Sequence, residues 1–190
     1  MRPSAFAVTD VAAIFCIRRD NMKNPRFITH AAIIAALYTV LTYAQYLLWP
    51  ESTSMAVQVR ISEALCVLAF FTPAAVPGLT LGCLLFNLTY AGTLPLDWLV
   101  GTLATLLAVG GMWLTRKVTV KGYPVVGMLL PALTNALLVG WELTYYIGEA
   151  SFWYNAAFVA LGELIALLLP GTVLFCAIRA RKLDKTLFSL

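Results

Sequence analysis

The apolar residues of this chain come in long blocks, not at the one-face spacing of a surface helix. The sequence is 61% hydrophobic and only 12% charged, about half the charge a soluble domain carries. Blocks of about 20 apolar residues match a hydrocarbon core ~30 Å thick. Lipid offers the backbone no hydrogen bonds, so such blocks must close their own as helices or a barrel. The expected fold class is therefore an all-α integral membrane protein with six transmembrane helices. Their approximate spans are residues 27–49, 61–71, 74–91, 96–114, 124–147 and 152–178.

Residues 22–185 form one membrane domain, with no internal repeat and no second domain. Residues 1–21 are expected to be a dispensable extension. Their short apolar run is broken by Asp10 and followed by Arg18, Arg19 and Asp20, which suits neither a secretory signal nor a span. Residues 186–190 are expected to be a cytoplasmic tail. Spans two and three are short and meet at Pro73, with Pro77-Gly78 close behind. Interrupted segments of this kind survive in lipid where they line a cavity.

The basic residues set the orientation. With the N-terminus inside, twelve of the thirteen Lys and Arg residues fall on inner segments. Without residues 1–21 the split is nine to one. The expected topology is multi-pass in a bacterial cell membrane, with both termini cytoplasmic. The exception is Arg60, in the stretch Val57–Cys66 (VQVRISEALC), where Arg60 and Glu63 flank the start of an apolar run. Lipid penalises both charges unless they pair, face water or hold a ligand.

Several function classes drop out. No G-x-x-x-x-G-K-[ST], G-x-S-x-G or H-E-x-x-H occurs, so neither P-loop ATP hydrolysis nor these hydrolase chemistries is available. The four cysteines form no C-x-x-C pair, and His30 is the sole histidine. No metal, cofactor or nucleic-acid role is expected, and the chain is not read as an enzyme.

At ~1.5 Å rise per residue, the buried polar residues gather at one depth. Asn87, Asp97, Glu142, Asn135, Asn155, Glu163 and Glu63 all fall in the outer half of their spans. Asp97 fits an N-cap of span four, and Asn155 an interfacial, solvated position. Asn135 and Glu142 are i and i+7 on one face, which Tyr145 extends outward. The set describes a cup open to the outside with Glu163 and Asn135 near its floor. No cation within the spans is evident to pair Glu142 and Glu163. Carboxylates and amides suit a ligand rich in N–H donors, and aromatic faces suit a flat heterocycle. A purine-like base fits this set better than an anion or a sugar.

In span one, Ala31 with Ala35 and Ala32 with Ala36 make overlapping small-xxx-small pairs. Such pairs admit a close-packed helix, from this chain or from a partner.

VRISEAL at 59–65, FFTPAAVPGLTLGCLLFNL at 70–88, ALTNALLVGWEL at 132–143 and ALGEL at 160–164 together resemble the QueT family. The resemblance runs over essentially the whole chain from Met22 to about Arg179. It implies the substrate-binding (S) component of an energy-coupling factor importer, with a six-helix bundle and an outward-facing pocket. The implied ligand is a queuosine precursor, a 7-deazaguanine base. The implied partners are a transmembrane coupling subunit and two ATPase subunits, which would dock on Ala31, Ala32, Ala35 and Ala36. The residues expected to hold the base are Glu163, Glu142, Asn135, Asn87, Glu63, Arg60 and Tyr145, with Val57–Glu63 closing over it. Arg60 and Glu63 either touch the ligand or latch to each other. The competing reading is a small permease or channel for a nucleobase-like solute that works alone.

Overall fold

The computed structural model describes residues 24–50, 59–90, 95–148 and 151–183. The expected extension at 1–21 and the tail at 186–190 lie outside these residues, as do residues 57 and 58 of the expected lid. The described residues form six consecutive helical elements and no strand.

The first helix, α1, runs Pro25–Leu48. Asn24 caps it by accepting from the Arg26 N–H at 3.1 Å, and Pro25 starts it where its missing N–H costs nothing. The chain then returns through a 3₁₀ helix, Ile61–Phe70. After it come α2 (Ala75–Thr89), α3 (Asp97–Thr115) and α4 (Val125–Ile147). The last element is a single long rod: α5 (Phe152–Ala166), a π turn (Leu167–Gly171) and α6 (Thr172–Ala180). The π turn contains Pro170. Proline lacks the N–H and its ring crowds the carbonyl four residues back, and a widened turn relieves both.

By length and composition α1, α3, α4 and the α5–α6 rod can cross a membrane. They carry apolar side chains outward, such as Val40 at 62% and Val173 at 70% exposure. That outward surface belongs to a multi-pass membrane protein. Span two differs from expectation in kind, because it is 3₁₀ rather than α. A 3₁₀ helix rises ~2.0 Å per residue, so ten residues reach roughly 20 Å where an α-helix would reach ~15 Å.

That 3₁₀ segment is the hub of the bundle. It contacts α1, α2, α3, α5, the π turn and α6, and Ser62, Glu63, Ala64, Cys66, Val67, Leu68 and Ala69 are all buried. Cys66, Val67 and Ala69 sit in one apolar core with Tyr38, Leu79, Met112, Met128 and Leu167. Around the hub, each α-helix packs mainly on its neighbour in sequence.

The alanine face of α1 divides in two. Ala31 and Ala35 are buried against Gly78 and Gly82 of α2. A Cβ on Gly78 would lie 2.8 Å from the Ala31 carbonyl oxygen, and one on Gly82 would lie 2.8 Å from the Tyr38 Cβ. Only glycine permits this approach, and the gain is dispersion contact, the main attraction between helices in lipid. Ala32 and Ala36 instead face outward, exposed.

Candidate functional site

The hub begins at a polar cleft. Gln45 of α1 holds the incoming backbone at two points: its amide donates to the Val59 carbonyl, and its oxygen accepts from the Ile61 N–H at 2.7 Å. Arg60 lies between these anchors. Below them, Thr42 donates to Ser62 Oγ at 2.7 Å. The start of the 3₁₀ segment is thus tied to α1 by side chains, as its short turns require.

A 3₁₀ helix repeats every three residues. Glu63 and Cys66 therefore stack on one face, and Arg60 stands just ahead of them at the N-cap on extended backbone. Glu63 is 3% exposed and held on both oxygens: Tyr38 OH donates to Oε1 and Cys66 Sγ to Oε2 at 3.2 Å. The facing wall comes from α4 and α5, where Asn135 Nδ2 donates to Glu163 Oε1 at 2.8 Å. Arg60, Glu63, Asp97, Thr105, Asn135 and Glu163 line the cleft, with Gly101, Val139 and Val159 between them. The free space among them is about 20 Å³, room for about one water.

Glu142 stands one turn beyond Val139 on α4 and is 1% exposed. Neither of its oxygens, nor Glu163 Oε2, has a hydrogen-bond partner among the described residues. Arg60 is the cation that the sequence did not reveal for these acids. Its guanidinium stands within electrostatic reach of Glu63, Asp97, Glu142 and Glu163. Four carboxyls around one guanidinium are not balanced. Buried carboxyls in excess of their cations are costly unless they take up a proton, a cation or a ligand rich in N–H donors.

Three of the expected binding residues lie apart from the lining: Glu142, already described, Asn87 and Tyr145. Asn87 donates to the Asp97 carbonyl at 3.1 Å and so ties α2 to the start of α3. Tyr145 is 68% exposed and stacked on Trp141. Two smaller expectations are corrected. Asp97 is not the N-cap of α3: Leu96 holds that position, and the Asp97 side chain faces the cleft and Arg60. Asn155 is not solvated but 5% exposed, donating to Thr144 Oγ1 at 3.0 Å where α4 and α5 close at Gly140 and Ala156.

Tyr38, Gln45 and Thr105 were not singled out from sequence. Each sits inside an apolar block and carries no charge. Gly78-x-x-x-Gly82 is the signal that predicts which alanines of α1 are used within the fold.

The sequence model of the QueT transporter family matches residues 28–180. No curated protein and no solved structure matches the chain.

Proposed function

The chain belongs to the QueT transporter family, and from that premise we propose that it is the substrate-binding subunit of an ATP-driven importer for a queuosine precursor. Its ligand is a 7-deazaguanine base taken up from the extracellular side. The observation that carries this reading is the set of unsatisfied carboxylate oxygens, Glu142 Oε1 and Oε2 and Glu163 Oε2, beside the Asn135–Glu163 pair. A carboxylate accepts two hydrogen bonds from a 2-amino-pyrimidinone edge, and a charged hydrogen bond contributes ~1.5–3 kcal/mol. Asn135 supplies a donor and an acceptor for the carbonyl side of the base. The excess of carboxyls at this end of the bundle favours a ligand with several N–H donors over an anion.

Admitting a planar base requires the side chains to part, because the cleft is narrow. Arg60 is the long side chain at its end, and it swings on a backbone that Gln45 pins on either side. Glu63, already held on both oxygens, acts as a fixed wall rather than a mobile latch. Among the described residues, the lid role expected of residues 57–63 then falls on the Arg60 side chain.

Six helices, both termini in the cytoplasm, and a partner module of one coupling subunit and two ATPases complete the proposal. Ala32 and Ala36, exposed on α1, form the docking stripe. Mass spectrometry of small molecules that co-purify with the protein tests the ligand: a 7-deazaguanine is expected, and an unrelated solute overturns the assignment. Reconstitution without ATPases tests the partner requirement. Binding without uptake is expected, whereas gradient-driven uptake supports the solitary permease instead.

A further inference from the structure

A second pocket lies at the other end of the bundle, where the 3₁₀ segment, α3 and α6 finish and α4 begins. Its volume is about 240 Å³, and its walls include Phe70, Phe71, Phe175, Arg116, Arg179 and Pro124. No carboxylate is among the described residues that line it. It shares no residue with the polar cleft.

Both guanidiniums are held in place before any ligand arrives. Arg116 donates to the Trp113 carbonyl at 2.6 Å and lies 3.6 Å from the centre of the Trp113 ring. Arg179 donates to the Gly122 carbonyl and lies 5.7 Å from the Phe175 ring centre. Gly122 is presented by a tight turn. Val120 and Tyr123 exchange hydrogen bonds of 2.9 and 3.0 Å around Lys121 (φ 51°) and Gly122 (φ 81°), the two-residue geometry that demands left-handed residues. A Cβ at Gly122 would also come within 3.3 Å of Arg179 Nη1. Tyr123 OH, 2.5 Å from Thr172 Oγ1, fastens the turn to α6.

A guanidinium has five N–H donors, and each of these two gives one to the carbonyl named above. The N-terminus of α4 opens onto the same pocket through Pro124. Two arginines and a helix N-terminus favour a phosphate. Three phenylalanine rings beside them favour hydrocarbon. Both preferences occur at the end of an apolar slab of long helices, where phospholipid headgroups sit.

The geometry points to a site for one anionic phospholipid, its phosphodiester bridged by Arg116 and Arg179 and its upper acyl chain on Phe70, Phe71 and Phe175. Free phosphate shares the headgroup chemistry but leaves the aromatic wall unused. A lipid seated here links the α3–α4 turn to α6 and stiffens the end of the bundle opposite the polar cleft.

The test uses the full chain in detergent, with thermal unfolding and native mass spectrometry as readouts. Phosphatidylglycerol, phosphatidylcholine and inorganic phosphate are added separately. Phosphatidylglycerol is expected to raise Tm by several degrees and to leave one lipid bound per chain. Arg116→Gln with Arg179→Gln is expected to lose both effects. Lys117→Gln with Arg181→Gln removes the same charge outside the pocket and is expected to keep them. If the double variant does not fold, Arg116→Gln alone provides the comparison, because its described hydrogen bond is only to its own helical turn. The proposal is overturned if phosphatidylcholine acts equally, if the arginine variants retain the shift, or if the two charge-matched variants lose it alike. A full shift with inorganic phosphate alone assigns a phosphate site and overturns the lipid.

Discussion

The two ends of this bundle handle charge in opposite ways. At the basic end, Arg116 and Arg179 reach the edge of the apolar slab, rest on aromatic rings and donate to backbone carbonyls. Long cationic side chains do this cheaply, because the stem lies on apolar surface while the head meets water. At the cleft end, Glu63, Glu142 and Glu163 are each under 10% exposed and brought together from three elements. Carboxyl stems are too short to reach water from there. Burying them costs stability that hydrophobic residues would not. The basic end settles its charges on carbonyls and aromatic rings, whereas the cleft leaves three carboxylate oxygens without a hydrogen-bond partner among the described residues.

If the two ends have separate roles, substitutions at each should fail separately. The largest effect is expected from Ala32→Leu with Ala36→Leu, on the half of α1 nearer the basic end. Uptake should be abolished while the isolated subunit binds its base at wild-type affinity. Co-purification of the ATPase module at wild-type level breaks this separation. Next in size is Asn135→Ala, which strips Glu163 of its described partner. Base affinity should fall about tenfold, ~1.4 kcal/mol, by calorimetry, with the phosphatidylglycerol response unchanged. Loss of that response as well would mean that the ends are coupled. Tyr38→Phe should then cost roughly 1 kcal/mol of stability, because it removes one of the two hydrogen bonds that hold Glu63. Thermal unfolding checks it, and an unchanged Tm would deny that Glu63 is held from α1. The smallest effect is expected from Asn155→Ala, about 0.6 kcal/mol, the average for interhelical hydrogen bonds in a membrane. Here base affinity should not move.

Much of this arrangement was legible in the residues. The long helices announced themselves because apolar blocks have few alternatives in lipid, and α3 and α4 begin and end within a residue of expectation. The shared depth of Asn135 and Glu163 was legible, since both fall near the floor of the expected cup, but the hydrogen bond between them was not. The region around Arg60 was not legible. Spacing read with an α period separates Glu63 from Cys66, which the three-residue turn of the hub stacks, and it does not show that Arg60 enters this helix on extended backbone. Held at the N-cap, Arg60 comes within electrostatic reach of the acids of α4 and α5, so their cation was hidden. Tyr38 was hidden for another reason: an uncharged aromatic in an apolar block gives no sign that its hydroxyl faces a carboxylate from 25 residues away. The four alanines of α1 read as one face, and Gly78 and Gly82 divide it by taking Ala31 and Ala35.

The central claim is that the cleft acids receive a flat, N–H-rich base. Calorimetric titration of a 7-deazaguanine into wild-type protein, Glu142→Gln and Glu163→Gln addresses it most directly. Saturable binding by the wild type is expected, weakened by at least ~1.5 kcal/mol in one or both variants, the scale of a charged hydrogen bond. Unchanged affinity in both variants, or no binding by the folded wild type, contradicts it.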